Sequence, residues 1–104
     1  MKIYQFGFNN SVGKVPPGLP TLDCRVIPNP HHLRDAVAKR LAVRSSPFFT
    51  PLVMQGVEML AANSKIAVGC AYGHDRSGQV AQAIMMAMAE KGIYVQIEKL
   101  SKGA

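Results

Sequence analysis

Short apolar stretches alternate with amphipathic ones along the chain, and this alternation predicts strands separated by helices. The strand-like stretches cover residues 2–8, 22–27, 65–68 and 94–100. The run 65–68 is almost entirely apolar, which is typical of a strand that is covered on both faces. Strands that alternate with helices favour an α/β domain with a mostly parallel sheet of about four strands, flanked by helices.

The first helical signal is weak and lies in residues 31–44. Leu33, Val37 and Leu41 recur at intervals of four residues, so they would share one apolar face of a helix. Basic residues would then line much of the remaining surface. We therefore expect a helix within this stretch, packed through those three side chains.

The next two helices have clearer boundaries. Thr50 can cap a helix and Pro51 suits a first helical position, so a helix is expected to begin there and to end near residues 63–64. Another helix is predicted over residues 77–91, followed by Gly92. Its surface is mostly apolar, which is typical of a deeply buried helix or of one that contacts a second copy of the chain. A homo-oligomer is therefore an open alternative.

Length and composition set the class of protein. The 104 residues fit one domain spanning 1–104, and 48% of them are hydrophobic, enough for a cooperative core. The sequence has neither a membrane-spanning apolar run nor a secretory signal pattern, so we expect a cytoplasmic protein that does not associate with membranes. The formal net charge of +6 favours anionic partners, such as phosphorylated metabolites or RNA.

The segment with the most chemical information is the glycine-rich stretch 69–78, between the predicted third strand and the following helix. Glycines allow tight turns and close backbone approach, and the helix N-terminus adds partial positive charge. Arg76 offers a planar fork that matches phosphate oxygens, and Ser77 can cap the helix or donate to the same anion. The stretch therefore predicts a phosphate-sized anion site. The alternative is an ordinary strand-to-helix turn in which Ser77 only caps.

Three blocks of the sequence, Gln5-Phe6-Gly7-Phe8, Asp23 to His31 (DCRVIPNPH) and Ala67 to Ser77 (AVGCAYGHDRS), resemble the C-terminal domain of the RapZ family of RNase adapter proteins, here as a stand-alone domain. Residues 5–8 resemble that domain's opening Ser-Phe-Gly-Phe strand. Residues 23–31 resemble its Asp-Val-Arg-Phe-Leu-Pro-Asn-Pro-His stretch, and residues 67–77 resemble its Ile-Gly-Cys-Thr-Gly-Gly-x-His-Arg-Ser loop. The blocks occur in the same order and together span nearly the whole chain.

The resemblance implies a binding or regulatory domain that senses a phosphorylated amino sugar and contacts small RNA and a ribonuclease. By the same resemblance, the sugar-phosphate pocket would contain His31, Ala71, Tyr72 and Arg76, with Arg25 and Asn29 close by. Gly73, His74 and Ser77 are expected to join them as ligand-binding residues of the same loop. The chain differs from the family where Ala71 replaces Thr, Tyr72 replaces Gly and Asp75 replaces His.

A second resemblance, to the protein tyrosine phosphatase loop, leaves an enzymatic alternative open. Cys70 and Arg76 have the Cys-x5-Arg spacing of that loop, and Ser77 and Gly78 follow as they do there. In such a loop the cysteine thiolate attacks phosphorus while the arginine holds the phosphate oxygens. Gly69 replaces the usual histidine, and the preferred interpretation is a domain without catalytic residues.

The basic residues of the weak helix provide a third interpretation. Arg34, Lys39, Arg40 and Arg44 could form an RNA-facing strip that contacts phosphates without reading bases. The alternative is a solvated helix face.

The histidines do not indicate a metal site. His31 and His32 are adjacent, and neither they nor His74 stands at a spacing from cysteines or carboxylates that is typical of metal ligands. We expect no metal and no cofactor. His31 alone, just after Pro30 at the end of a strand, could lie near the anion of the glycine-rich stretch, and the alternative is simple exposure in a loop.

Overall fold

The computed structural model describes residues 1–101 and contains one four-stranded parallel sheet. The strands are β1 (Lys2–Gly7), β2 (Thr21–Asp23), β3 (Lys65–Cys70) and β4 (Gln96–Lys99), in the order β2-β3-β1-β4. In the central pair, Ile3 of β1 lies opposite Ile66 of β3. The expected α/β class, with a sheet of about four strands and flanking helices, is confirmed.

Three helices cover the sheet. They are α1 (Ala36–Arg44), α2 (Phe49–Asn63) and α3 (Asp75–Glu90). The crossovers from β2 to β3 and from β3 to β4 advance in the same direction across the sheet, so right-handed connections place all three helices on one face. Within residues 1–101, no helix combines the length and apolarity that a membrane crossing requires.

The core lies between this face of the sheet and the helices. Ile3, Ile66 and Val68 of the central strands are fully buried there, together with Leu60 of α2 and Ile84 of α3. Ala67 and Gly69, which alternate with Ile66 and Val68 on β3, are buried as well, as is Phe6 on β1. Phe6 packs its ring against Gly69 so closely that a side chain at that position would overlap it. The expectation that residues 65–68 form a strand covered on both faces is confirmed, and the strand extends to Cys70.

Two strands are shorter than the hydrophobic pattern predicts. The stretch 22–27 forms a strand only as far as Asp23, because the carboxylate of Asp23 accepts the backbone N–H of Arg25 at 2.9 Å and turns the chain out of the sheet. The stretch 94–100 pairs with β1 only over Gln96–Lys99.

Helix α1 does not present the apolar face that the sequence predicts. It begins at Ala36, where the carboxylate of Asp35 accepts the backbone N–H of Val37 at 3.2 Å. The side chains of Val37 and Leu41 are 55% and 59% exposed, and the buried residue of this helix is Val43. The prediction that positions 33, 37 and 41 form the packing face is therefore wrong.

The starts of the other two helices also differ from expectation. Helix α2 begins at Phe49 with no side-chain cap, so Thr50 lies inside the first turn. It ends where expected, at Ser64, which adopts a left-handed conformation with a φ of 67°. Helix α3 begins at Asp75, and Ser77 lies in its first turn instead of capping it.

Candidate functional site

The carboxyl ends of β1, β2 and β3 lie side by side at one end of the parallel sheet. Ligands of parallel sheets usually bind just beyond these strand ends. Residues 71–74 connect β3 to α3 at this end. A cavity of about 500 Å³ opens beside them. Its walls are formed by Asn10, Asn29, His31, Cys70, Tyr72, His74, Asp75 and Arg76.

The guanidinium of Arg76 forms the buried part of the cavity wall. The residue is only 6% exposed, and Nη1 donates to the carbonyl oxygens of Ile27 at 2.9 Å and Arg25 at 3.3 Å. These carbonyls belong to the segment that leaves the sheet after β2, so the early end of that strand creates the support for the arginine. Nε and Nη2 bond to no protein atom among residues 1–101, and no carboxylate there lies within 4.0 Å of the guanidinium. The guanidinium is therefore buried without a carboxylate in direct contact, although Asp75 lines the same cavity.

The backbone around the loop leaves a series of N–H groups unused. Within the described part of the chain, the amides of residues 71–77 donate to no protein acceptor, and the first amide of α3 that does so is Gly78, which donates to His74 at 3.0 Å. The residue before the helix, His74, makes no capping hydrogen bond with its side chain. Amides in the first turn of a helix point outward from its N-terminus, where the helix dipole is positive. The loop and helix start therefore offer several donors to an anion.

The loop is held to β1 by hydrogen bonds and close backbone packing. Gln5 Nε2 donates to the carbonyl of Gly73 at 2.7 Å, and Asn10 Nδ2 donates to the carbonyl of Tyr72 at 3.1 Å. Gly73 has a φ of 77°, and a Cβ atom there would come within 2.7 Å of the backbone nitrogen of Gly7. Only glycine allows this conformation and this approach together.

Two buried serines reinforce the same end of the sheet. The hydroxyls of Ser11 and Ser101 lie 2.6 Å apart, and Ser11 Oγ accepts the backbone N–H of Gly7 at 2.8 Å. Ser101 Oγ donates to Asn10 Oδ1 at 2.9 Å. Asn10 thus links these serines to the loop, because its amide nitrogen also donates to Tyr72. The network fixes the position of the cavity wall.

Cys70 closes the floor of the cavity as a buried thiol. Its sulfur donates to Ser77 Oγ at 3.2 Å, and Ser77 is fully buried. The other cysteine, Cys24, is also a buried free thiol. Burial, and then the proximity of Cys70, raise the pKa of the Cys24 thiol far above its ordinary value of 9.0.

The residues expected to bind a ligand divide into two groups. His31, Tyr72, His74 and Arg76 line the cavity together, as does Asn29, expected close by. Ala71, Gly73 and Ser77 do not line it; Gly73 and Ser77 are buried in the protein, and Ala71 is half-buried. Arg25 lies at the exposed surface, where its guanidinium pairs with the carboxylate of Asp23. The central carbon of this guanidinium lies 3.7 Å from the centroid of the Phe8 ring.

Sequence reasoning missed Asn10 as a wall residue. The available signal was its position just after β1, at the carboxyl end of a central strand. No pattern within its own segment pairs it with residues 71–74, since that proximity arises only from the order of strands in the sheet.

The structure places three of the four basic residues that were expected to form a strip around one cavity. Arg34, Lys39 and Arg40 line a second cavity of about 230 Å³, together with Ala36, Asp75 and Gln79. Arg44 does not line this cavity, but its Nε donates to Gln79 Oε1 at 2.8 Å, and its guanidinium lies 5.4 Å from the centroid of the Phe49 ring. Three of the four predicted residues are therefore grouped, and they lie next to the first cavity.

Among residues 1–101, no group of three or more histidine, cysteine or acidic side chains is arranged to hold a metal ion. The rings of His31 and His32 are nearly perpendicular, with centroids 6.1 Å apart.

Comparison of the chain with protein-family models and with curated proteins gave no match. The functional inference therefore depends on the geometry of the site and on the sequence blocks described above.

Proposed function

We propose that this chain is a non-catalytic binding or regulatory domain that binds a small phosphorylated ligand in the cavity beside residues 71–77. The supporting observation is the guanidinium of Arg76, which is buried next to the cavity without a carboxylate partner among the described residues. A buried charge without a counter-ion is unfavourable, and a bound anion would relieve it.

The geometry suits a phosphate group in particular. Two carbonyls hold Nη1 of Arg76, which fixes the plane of the guanidinium and leaves Nε and Nη2 for the ligand. Two donors on one planar fork match two oxygens of a phosphate. The unused amides of the loop and of the first turn of α3 can donate to the remaining oxygens. No side chain needs to move to create these donors.

The remainder of the cavity suits a small organic group attached to the phosphate. A volume of about 500 Å³ is within the range of small-molecule sites. Tyr72 is 54% exposed at the wall, so its ring is available to stack on the ligand. The resemblance to the RapZ C-terminal domain supports an amino-sugar phosphate as the first ligand to test. The same resemblance makes RNA or a ribonuclease a proposed macromolecular partner.

The direct test measures binding of inorganic phosphate and of an amino-sugar phosphate by calorimetry. Arg76→Gln removes the charge, and Arg76→Lys keeps the charge but loses the fork, so both variants are expected to bind at least about tenfold more weakly. Lys65→Gln is the charge-matched control, since Lys65 lies at the amino end of β3 and the cavity lies at the carboxyl end. Circular dichroism establishes that each variant is folded. Unchanged affinity in a folded Arg76 variant would exclude the proposed site.

A cysteine-dependent phosphatase remains the second candidate, because Cys70 lies in the wall of the same cavity as Arg76. The thiol of Cys70 is 2% exposed and donates to Ser77 Oγ, whereas a nucleophilic cysteine must be a thiolate. Turnover of a phosphoaryl substrate, abolished by Cys70→Ser, would establish this candidate. No turnover by the unmutated protein would eliminate it and leave the binding domain.

A further inference from the structure

A basic cleft adjoins the candidate phosphate cavity. We use this name for the second cavity, of about 230 Å³, whose charged walls are Arg34, Lys39, Arg40 and Asp75. Asp75 is the first residue of α3 and lines both cavities, so the two spaces are neighbours across this residue. The cations come from α1 and from the segment just before it, which face the start of α3.

The charges of this cleft are unbalanced. Three cationic side chains face one carboxylate, and none of the three forms an ion pair within 4.0 Å with an acidic group of residues 1–101. Like charges gathered in a concave surface repel one another and concentrate the positive potential there. An anion in the cleft would relieve this repulsion and would add charge-assisted hydrogen bonds.

We propose that the ligand carries two anionic groups, of which one is held by Arg76 and the loop amides and the other by the basic cleft. This inference rests on the proposed function, since it extends the same ligand across Asp75 into the neighbouring space. The carboxylate of Asp75 separates the two positive regions, so it disfavours a single anion placed between them and favours two separated ones.

The ligand class is a small molecule with two phosphate groups. A single strand of RNA would bind most readily where several aromatic rings offer successive stacking surfaces. Among the described residues that line the two cavities, Tyr72 is the only tyrosine, phenylalanine or tryptophan. The small volume of the basic cleft also suits a phosphate group better than a nucleotide.

The experiment compares propanediol, butanediol and hexanediol bisphosphates with the monophosphate of the same diol. In the unmutated protein, at least one bisphosphate is expected to bind about tenfold or more tightly than its monophosphate. The double variant Arg34→Gln, Arg40→Gln is expected to lose this difference while it retains its affinity for the monophosphate. The double variant Lys65→Gln, Lys91→Gln removes the same charge away from both cavities and is expected to retain the difference.

The two proposals fail in different ways. If inorganic phosphate and the monophosphates do not bind, or bind without dependence on Arg76, the proposed function itself is wrong. If they bind through Arg76 but no bisphosphate is preferred, or the preference falls equally in both double variants, the second subsite is wrong. Tighter binding of an RNA oligonucleotide than of every bisphosphate, lost in the Arg34, Arg40 variant, would overturn the small-molecule assignment.

Discussion

Gln5 and Gly73 are joined by a buried hydrogen bond of 2.7 Å between residues 68 positions apart in the sequence. Gln5 lies on central strand β1 and Gly73 lies in the loop that carries the candidate site. A Cβ atom at Gly78, in the first turn of α3, would lie 3.3 Å from the same Gln5 nitrogen. The amide of Gln5 is therefore fitted between the loop and the helix start, and it fixes their separation.

We predict that Gln5→Ala destabilises the fold and weakens phosphate binding together. The change leaves the buried carbonyl of Gly73 without a donor, a loss of about 1–3 kcal/mol in the free energy of unfolding. Urea denaturation measures this loss, and phosphate titration measures the affinity. Gln96→Ala, the same substitution at an exposed strand position, is the matched control. Equal stability of the two variants would contradict the role assigned to Gln5.

We predict a larger loss for Gly73→Ala than for Gly18→Ala. Both glycines have left-handed φ values, 77° and 82°, so alanine at either position introduces about 1–2 kcal/mol of backbone strain. A Cβ atom at Gly18 would meet no atom within 4 Å, whereas one at Gly73 would press on Ser101 and on the backbone of Gly7. This overpacking adds about 1–3 kcal/mol. Thermal unfolding of the two variants gives the comparison, and similar losses would show that the loop is not packed as described.

We predict that Cys24 makes stability fall at high pH. Because burial raises the pKa of the thiol in the folded protein, the unfolded chain loses this proton first, from about pH 9 upward. The stabilisation is complete below that pH, and the free energy of unfolding then decreases by up to about 1.4 kcal/mol per pH unit from this group. Denaturation at several alkaline pH values should show a shallower decrease for Cys24→Ala than for the unmutated protein. Parallel curves would contradict the assignment.

We predict opposite outcomes for one substitution at two helical leucines. Leu60 is fully buried in α2, so Leu60→Ala should lower the free energy of unfolding by about 2–5 kcal/mol. Leu41 is 59% exposed on α1, so Leu41→Ala should change it by less than about 0.5 kcal/mol. Chemical denaturation of both variants measures the difference. A large loss from Leu41→Ala would restore the packing face that the sequence pattern predicts.

Local patterns were sufficient for much of this fold. The strand at 65–68 could be predicted because its run is almost entirely apolar, and the helix after the loop because its apolar run is long and Gly92 follows it. The position of Arg76 at the cavity could be predicted for a similar reason, since the glycine-rich stretch, the arginine and the helix start are contiguous in the sequence.

Other features depend on contacts that no local pattern contains. The spacing of Val37 and Leu41 is helical, but α1 packs through Val43 and leaves those two side chains at the surface. Strand β2 ends early because the carboxylate of Asp23 accepts the backbone N–H of Arg25 and turns the chain. This turn outweighs the mostly apolar character of residues 24–27. The link from Asn10 to Tyr72 and Ser101 joins three distant segments, so it exists only after the sheet has formed.

The order of the strands places the two central ones, β1 and β3, beneath the loop. Side chains as far apart in the sequence as Gln5 and Ser101 help to hold the loop in place. Displacing the walls of the site therefore means breaking the links between the loop and the middle of the sheet, which few local fluctuations can do. A molecule that occupies it should slow amide hydrogen exchange across both central strands, not only in the loop it touches. Binding in a surface cavity would then be felt in the middle of the sheet.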